Sequence, residues 1–569
     1  MSGHFEGLPL LAILGLICGT LAGGLIVVFR LVIDGAFLHG LSSTNTESFE
    51  ALNSLTRFLL CVGGGLLVGL LLHFINDKWR QVGVVHVLER LDYHQGRLPL
   101  SNALIQFISA CICLLSGQSV GREGPSVHLG AAAGSVLGRS LRVPNNGIRI
   151  LVGCGAAAAI AAAFNTPLAG VIFAMEVIIM EYTVIGFTPV IIAAVSATTL
   201  TRMVFGNASA FTIPDLAFNA VNELATVALL GALIGCLAAA FIQLTLLTNS
   251  VFSKQVIWVR TTIAGIITGL IAIALPQVMG IGYDTINSIL LLQLSTVTIV
   301  LLVLAKTITT ASAIGLGMPA GLIGPVLFIG AAAGGSIGIS IANVSTSSVD
   351  IVFYAILGMA AMMAATLQAP LAALIYLLEL TANQAIILPG MTAVITASLV
   401  TGVVFGKSSI YRHLMLAKGL DYRNSPLSKA LRRIGVASVM ERNIIHKPRI
   451  ITHTEARGLL NNEPRWILLN DEQDHRKNSL LPATDLARYL NELDEAQQDQ
   501  TTTKLDLLKI PAKRLDTAEI TIIATLQEAY EKMESEQCEV LFIKGAHGTS
   551  KQRIYGVITR EHIESSYRV

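Results

Sequence analysis

The chain has 569 residues, of which 53% are hydrophobic and 13% are Asp, Glu, Lys or Arg, with a net charge of +2. Of its charged residues, 30 lie in residues 1–407 and 46 in residues 408–569. Because a soluble domain needs a charged surface, this distribution predicts a lipid-embedded region followed by a water-soluble one. The balanced charge argues against a basic surface that binds nucleic acid.

Long apolar segments follow one another through the first region, each able to cross most or all of a hydrocarbon core of about 30 Å. They are residues 8–33, 58–75, 101–118, 184–205, 221–250, 256–280, 295–316 and 386–405. Shorter segments broken by Gly or Pro are residues 121–140, 147–163, 166–182, 321–341 and 369–381. Since broken helices at membrane depth line enclosed cavities, we predict an all-α polytopic membrane bundle of the transporter or channel type.

An internal repeat divides this region. Residues 121–138 (GREGPSVHLGAAAGSVLG) and 321–338 (GLIGPVLFIGAAAGGSIG) are identical at nine of eighteen positions. The similarity continues at an offset of 203 residues, where Glu176 and Glu379 occupy equivalent positions. Two halves that each carry a Gly-Pro-broken helix start predict inverted repeats, with the functional site where the two breaks meet.

A helix that begins inside the membrane directs unpaired N–H groups and a positive dipole end into the cavity. Such a start favours an anion, although helix C-termini can bind cations, so the dipole alone leaves the sign of the ion open. The few acidic residues near the repeat favour the anion. Glu123 lies at such a start, where its carboxylate can occupy the anion site and leave it on protonation. The alternative is a Glu that only stabilises the helix dipole.

Several of these motifs are similar to those of the CLC family of chloride channels and proton/chloride exchangers. They are residues 116–125 (SGQSVGREGP) and 321–325 (GLIGP), with residues 164–169 and 409–412 extending the match. The resemblance covers roughly residues 8–415 and implies a homodimer in a lipid bilayer, with one anion pathway in each subunit.

The resemblance also implies the site residues. It makes Glu123 the outer gate of the pathway. The implied anion-binding residues are Leu322 and Ile323 through their backbone N–H groups, Tyr411 through its hydroxyl, and Gly121 and Gly124 beside the gate. For Tyr411 the alternative is an aromatic anchor at the membrane interface.

Three positions depart from the family pattern. The first anion motif aligns with residues 81–86, where Val82 replaces a serine whose hydroxyl coordinates the central ion. Residues 321–325 keep the backbone donors but change the side chains that line the site. The inner proton-transfer glutamate of the exchangers aligns with Val177, which leaves the neighbouring Glu176 as the candidate proton relay. Because Glu379 matches Glu176 in the repeat, the alternative for Glu176 is a structural role.

These departures leave the mode of transport open. Since Val177 cannot carry a proton, we expect passive conduction of chloride or a similar anion, and proton-coupled exchange of chloride or another halide is the alternative. A regulated cation transporter is a further class, since CBS-domain pairs also accompany magnesium transporters. It is disfavoured because the membrane region lacks an acidic cluster that would supply oxygen ligands.

No enzyme, metal site or disulfide framework is predicted. The chain has no HExxH or GxxxxGK[ST] motif, and its two GxSxG sequences, at 117–121 and 334–338, do not follow strands. The seven cysteines form no CxxC pair, and the histidines of the membrane region share no ligand spacing.

Past residue 407 the pattern changes to short strands and amphipathic helices. We predict strands over 465–469, 520–524, 539–544 and 553–559, and helices over 485–490, over 526–536 and from Arg560. The acidic stretch 492–504 is predicted to link two such units. This α/β region resembles a pair of CBS domains.

A ligand at the CBS-like pair is less clearly indicated. The family's adenine-nucleotide site has a Thr or Ser three residues before an Asp. Thr559 and Asp485 are the candidate ligand residues, but His562 and Pro482 occupy the complementary positions. We therefore expect a structural or dimerising pair and no cofactor, with an adenine-nucleotide sensor as the alternative.

The sequence thus divides into a membrane domain over 1–415, a linker over 416–433 and a CBS-like pair over 434–569. The first apolar run lacks a basic leader and is too long for a signal peptide, so we expect a retained membrane helix. We expect a multi-pass protein of a bacterial inner membrane with a cytoplasmic C-terminal domain.

Overall fold

The structure is a computed structural model in which the chain forms two compact units. The first comprises Met1–Leu141 with Ile148–Tyr422, and the second Arg142–Gly147 with Arg423–Val569. The residues that the structure describes are 8–40, 49–207, 211, 213, 223–344, 350–420, 426–470, 479–495, 504–512, 515–545 and 554–566. Parts of both predicted linkers, residues 421–425 and 496–503, lie outside the described residues.

The first unit is built from helices. They are α1 (Leu8–Gly40), α2 (Ser54–Phe74), α3 (Asp77–Arg80), α4 (Gly83–Tyr93), α5 (Leu100–Leu115), α6 (Glu123–Ser140), α7 (Asn145–Phe164), α8 (Pro167–Phe173), α9 (Val184–Phe205), α10 (Leu224–Val251), α11 (Ile257–Ala274), α12 (Tyr283–Leu290), α13 (Thr296–Gly315), α14 (Ile323–Val344), α15 (Ile351–Leu367), α16 (Pro370–Thr381), α17 (Ile387–Leu399) and α18 (Ile410–Ala417). Helix α8 continues as a π-helical segment, Ala174–Ile179, and α17 as another, Val400–Val404.

Nine helices in the described part of the chain are long and apolar enough to cross a membrane, judged by length and composition. The predicted segment 256–280 ends early, at Ala274, because Pro276 lacks the N–H that would continue the helix. Five helices of this unit were not predicted: α3, α4, α12, α15 and α18. Helices α4 and α12 are too short to span a bilayer, and α15 carries 17 residues, of which all but Ile351 are buried.

The repeat is visible in the helix boundaries. Helices α4, α6 and α8 begin 200, 200 and 203 residues before α12, α14 and α16. Both α8 and α16 begin with proline at the first helical position, where the missing N–H costs nothing. Helices α2 and α11, which are equivalent in the repeat, pack against each other, so the two halves meet along matching elements.

The second unit is an α/β domain. Its elements are α19 (Pro426–Arg433), β1 (Ile444–Pro448), β2 (Ile450–Thr452), α20 (His453–Leu460), β3 (Trp466–Asn470), β4 (Ser479–Pro482), α21 (Ala483–Glu495), β5 (Lys504–Asp506), β6 (Leu515–Thr521), α22 (Leu526–Glu536), β7 (Val540–Lys544), β8 (Ile554–Thr559) and α23 (Arg560–Ser565). The main sheet has the strand order β1-β3-β4-β6-β7-β8, and β2 pairs with β5.

This sheet contains two similar halves. In each half a parallel pair, β1 with β3 or β6 with β7, is extended by an antiparallel strand, β4 or β8. Strand β6 lies earlier than the predicted 520–524, because Thr517–Thr521 pairs with β7 and the next three residues turn toward the helix cap at Thr525. Helix α22 has the bounds that its sequence predicts.

Candidate anion site

The two broken helix starts meet at a pair of glycines. The N–H of Gly121 donates to the carbonyl of Gly321 at 2.6 Å, and the N–H of Gly321 donates to the carbonyl of Gly121 at 2.7 Å. A β-carbon on Gly321 would lie 2.5 Å from the backbone nitrogen of Gly124, and one on Gly124 would lie 2.7 Å from the Cα of Gly321. Only glycine fits this crossing, so the repeated glycines hold the two halves together.

This pairing decides which backbone donors remain for an anion. The amide of Gly121, a predicted anion ligand, is used by Gly321. Helix α14 begins two residues later at Ile323, and Leu322 and Ile323 are 2% and 1% exposed. The first N–H groups of a helix have no acceptor inside it, so these predicted donors are buried at the crossing. Gly124 lies in the first turn of α6, against Gly321.

The Glu123 carboxylate occupies this crossing. The residue is the first of α6 and is completely buried. Its Oε2 accepts from the N–H of Gly324, in the first turn of α14, at 3.2 Å. Its Oε1 accepts from the hydroxyl of Tyr283 at 2.7 Å. The side chain of one half therefore accepts a hydrogen bond at the helix start of the other half, a position that favours an anion.

Tyr283 was not predicted from the sequence. It is the first residue of α12, and its ring packs edge-on against Phe211, with centroids 5.1 Å apart. The Arg122 guanidinium lies 5.3 Å from the same ring. The repeat could have identified it. At the offset of 200 residues, Tyr283 is equivalent to Gly83, which begins α4 beside the residues that align with the first anion motif.

The loop before Tyr283 is held by a buried lysine. Lys306, which is 0% exposed, donates to the carbonyls of Val278 at 2.9 Å and Gly280 at 2.8 Å. These bonds satisfy a charge that would be costly to bury without partners. They fix the segment from which Tyr283 reaches Glu123.

The residues that align with the first anion motif lie at the start of α4. Val82 is the N-cap residue of this helix, and no side-chain bond caps it. The N–H of Gly83 donates to Oε1 of Gln106 at 2.6 Å, and Nε2 of Gln106 donates to the carbonyl of Pro319 at 2.7 Å. A donor at this helix start is thus already used by a protein side chain.

Tyr411 lines a cavity of about 270 Å³ in the first unit. Its side chain is 5% exposed, and its hydroxyl has no hydrogen-bond partner among the described residues. The polar residues on the cavity wall include Glu176, Gln368, Ser408 and Arg412. Val177 also lines the cavity. Its apolar side chain stands at the position that aligns with the inner proton-transfer glutamate, so the wall carries no carboxylate at this point.

The Glu176 carboxylate is bound to a helix start. Its oxygens accept from the N–H groups of Leu371 at 3.2 Å and Ala372 at 2.7 Å, at the beginning of α16. Both oxygens are therefore engaged in capping, which supports the structural alternative for this residue.

The two candidate nucleotide ligands lie in the second unit and have other partners. The Thr559 hydroxyl caps α23, accepting from the N–H of His562 at 3.3 Å. Asp485 pairs with Arg488 at 3.1 Å on the same helix. Burial lowers the pKa of His562, so this residue at the expected Asp position is neutral at pH 7. Among the described residues, the side chains at these two positions are therefore engaged within the protein and not left open to bind a ribose.

A histidine pair joins α4 and α6. Nδ1 of His86 lies 2.9 Å from Nε2 of His128, and Arg90 donates to Nε2 of His86 at 3.0 Å. Both imidazoles are completely buried. Within the described ranges, no group of three or more His, Cys, Asp or Glu is placed to hold a metal ion.

The chain is similar to a known protein family and to several of its members. The profile of the voltage-gated chloride channel family matches residues 64–402. A ClcB-like protein of Ralstonia nicotianae, named among chloride channel proteins, is 33% identical over 72% of this chain and 97% of its own length. The H(+)/Cl(-) exchange transporter ClcA of Vibrio parahaemolyticus is 30% identical over 71% of this chain and 88% of its own.

A solved structure extends the likeness beyond the membrane unit. The crystal structure of a eukaryotic CLC transporter superposes with a TM-score of 0.62, covering 97% of both chains at 19% identity. The likeness shows a shared fold, a polytopic helical membrane bundle followed by an α/β region. With the family profile and two relatives of at least 30% identity, the chain belongs to the CLC family of voltage-gated chloride channels, and it is a multi-pass membrane protein that transports chloride.

Proposed function

We propose that the protein exchanges chloride for protons through a pathway in each subunit that Glu123 gates. One observation carries the proposal: the buried Glu123 carboxylate accepts the N–H of Gly324 at a helix start, as a transported anion would. The alternative, a Glu that only stabilises its own helix, predicts a carboxylate at the N–H groups of α6. The observed bond runs to α14 instead.

The gate would work by mutual exclusion. While Glu123 is ionised, its carboxylate occupies the start of α14 through the N–H of Gly324 and keeps chloride from the neighbouring N–H groups of that helix. Protonation removes the charge, so the positive end of the helix no longer attracts the side chain. The side chain then leaves the site. Chloride can then bind to the N–H groups of Leu322 and Ile323 and to the Tyr411 hydroxyl, with Gly121 and Gly124 keeping the crossing narrow. Each anion that enters is thereby tied to a proton on Glu123.

Exchange has more support than the passive conduction expected from Val177. The relative from Vibrio parahaemolyticus is named for H(+)/Cl(-) exchange. The cavity of about 270 Å³ at Val177 and Tyr411 has room for several waters, and its polar wall can hydrogen-bond to them. Water in this cavity would carry protons past Val177. Glu176 is a weaker relay, since both its oxygens cap α16.

A cation transporter has less support. The crossing offers backbone N–H donors, and within the described residues no cluster of acidic side chains supplies oxygens to a hard cation.

The assembly and domains of the sequence analysis remain part of this proposal. We propose a homodimer in a bacterial inner membrane, with a membrane domain over 1–415, a linker over 416–433 and a cytoplasmic CBS-domain pair over 434–569. The two similar halves of the main sheet support a pair of related modules. Because Thr559 and Asp485 have partners within their own helices, a structural or dimerising pair is favoured over a nucleotide sensor.

Proteoliposomes test the mode of transport. With a chloride gradient imposed and the electrical potential clamped by a potassium ionophore, exchange predicts uphill proton movement that the Glu123→Gln variant does not support. Chloride flux that dissipates its gradient without moving protons would instead establish passive conduction.

A further inference from the structure

A buried tyrosine hydroxyl near the gate lacks a hydrogen bond. Tyr376 lies on α16 and is 3% exposed. Its hydroxyl has no hydrogen-bond partner among the described residues. Buried hydroxyl groups normally find a partner, because leaving one unpaired forfeits its interaction with water. This hydroxyl is therefore free to donate a hydrogen bond to a ligand.

Aromatic contacts connect Tyr376 to the gate. Its ring meets Phe164 edge-on, with centroids 5.4 Å apart. Phe164 in turn lies 6.4 Å from the ring of Tyr283, whose hydroxyl donates to Glu123. Tyr376 is thus one aromatic ring away from the residue that binds the gate.

Two buried tyrosine hydroxyls of the membrane unit are unpaired. They belong to Tyr376 on α16 and Tyr411 on α18. Both lack a hydrogen-bond partner in the described part of the chain. A hydroxyl donates one proton, and an anion close to Glu123 can accept from two such groups at once. Tyr411 was expected to bind the anion, whereas Tyr376 carries no assigned role.

We propose that the Tyr376 hydroxyl is a second side-chain ligand of the transported halide, supplying the donor that Val82 lacks. The inference rests on the proposed function and adds to it. An ion in a dry site must recover the hydrogen bonds it leaves in water, and Val82 recovers none. Tyr376 and Tyr411 together give the ion two hydroxyl donors in addition to the backbone N–H groups of α14.

Chloride binding to the purified full-length protein tests the assignment. Isothermal titration calorimetry should give a Kd for Tyr376→Phe about ten or more times that of the wild type. Phe keeps the ring that packs on Phe164, so thermal stability should not fall. The matched control is Tyr354→Phe, which removes a buried hydroxyl that bonds Thr226 at 2.6 Å, and its chloride affinity should be unchanged.

A second variant separates ligation from packing. Adding Val82→Ser to Tyr376→Phe should recover a large part of the lost affinity, because it restores a hydroxyl donor to the site by another route. An unchanged Kd in Tyr376→Phe would overturn the inference while leaving the proposed function intact, provided the wild type still couples chloride to protons. A wild type that binds no chloride would overturn both.

Discussion

Glu176 and Glu379 cap each other's helices. The Glu379 carboxylate accepts from the N–H groups of Leu168 at 2.9 Å and Ala169 at 2.8 Å, at the start of α8, whose π-helical continuation carries Glu176. Glu176 in turn caps the start of α16, which carries Glu379. The duplication therefore extends to these polar contacts. Capping α16 is a structural role for Glu176 that requires no proton transfer.

The two glutamates provide a matched pair of variants. Glu176→Gln and Glu379→Gln should each remove a charge-assisted cap, so each should lower the free energy of unfolding by about 1–2 kcal/mol. Thermal unfolding in detergent measures this loss. Proton-to-chloride stoichiometry in proteoliposomes should be the same in both variants and in the wild type. If only Glu176→Gln abolishes proton movement, Glu176 is the relay.

Glu123→Gln should remove the response of chloride flux to external pH. The amide mimics the protonated carboxyl and cannot compete with an anion as a charged group. Flux from liposomes measured between pH 4.5 and 7.5 provides the comparison. A variant that keeps the wild-type pH profile would mean that another residue gates the pathway.

Tyr283→Phe should loosen the closed gate. The variant removes one of the two bonds that hold the ionised carboxylate, and a hydrogen bond to a charged group contributes about 1.5–3 kcal/mol. The pH of half-maximal flux should therefore rise by roughly one unit or more. Tyr182→Phe, at a site 52% exposed, is the control and should leave the profile in place. Identical profiles for both variants would remove Tyr283 from the gate.

Val82→Ser alone should strengthen chloride binding. Val82 sits at the N-cap of α4, where a serine would restore the hydroxyl of the family's first anion motif. We expect a several-fold lower Kd by calorimetry. Equal affinities would show that the alignment of residues 81–86 with the family's first anion motif is wrong.

In the second unit, Asp506 should make local stability depend on pH. Arg449 donates to its two oxygens at 2.9 and 2.8 Å, and these bonds lower the pKa of Asp506 below its ordinary range. The carboxylate then stabilises the pairing of β2 with β5 at neutral pH, and this contribution is lost as the pH falls through the lowered pKa. At pH 7, Asp506→Asn should speed hydrogen exchange over 450–452 and 504–506. Unchanged exchange would mean that the pair contributes nothing there.

The membrane fold and the position of Glu123 at a helix start were accessible from sequence because they depend on local signals. Apolar length predicts the helices, and the Gly-Pro frames predict where they break. The fold class and the membership of the CLC family are confirmed. The contacts of Tyr283 and Tyr376 were not accessible, because each joins residues more than 100 positions apart. Strand β6 was placed too late because its partner strand, not its own apolar run, decides the register.

The Gly121–Gly321 bridge also bears on how such a protein can change its ion preference. Two peptide units in direct contact set the separation of the two helix starts, so that separation does not depend on any side chain. Lining residues such as Leu322 can therefore diverge between relatives while the aperture keeps its dimensions. Selectivity in this architecture is then adjusted through the number and polarity of the groups that replace the ion's hydration shell, and not through the diameter of the passage.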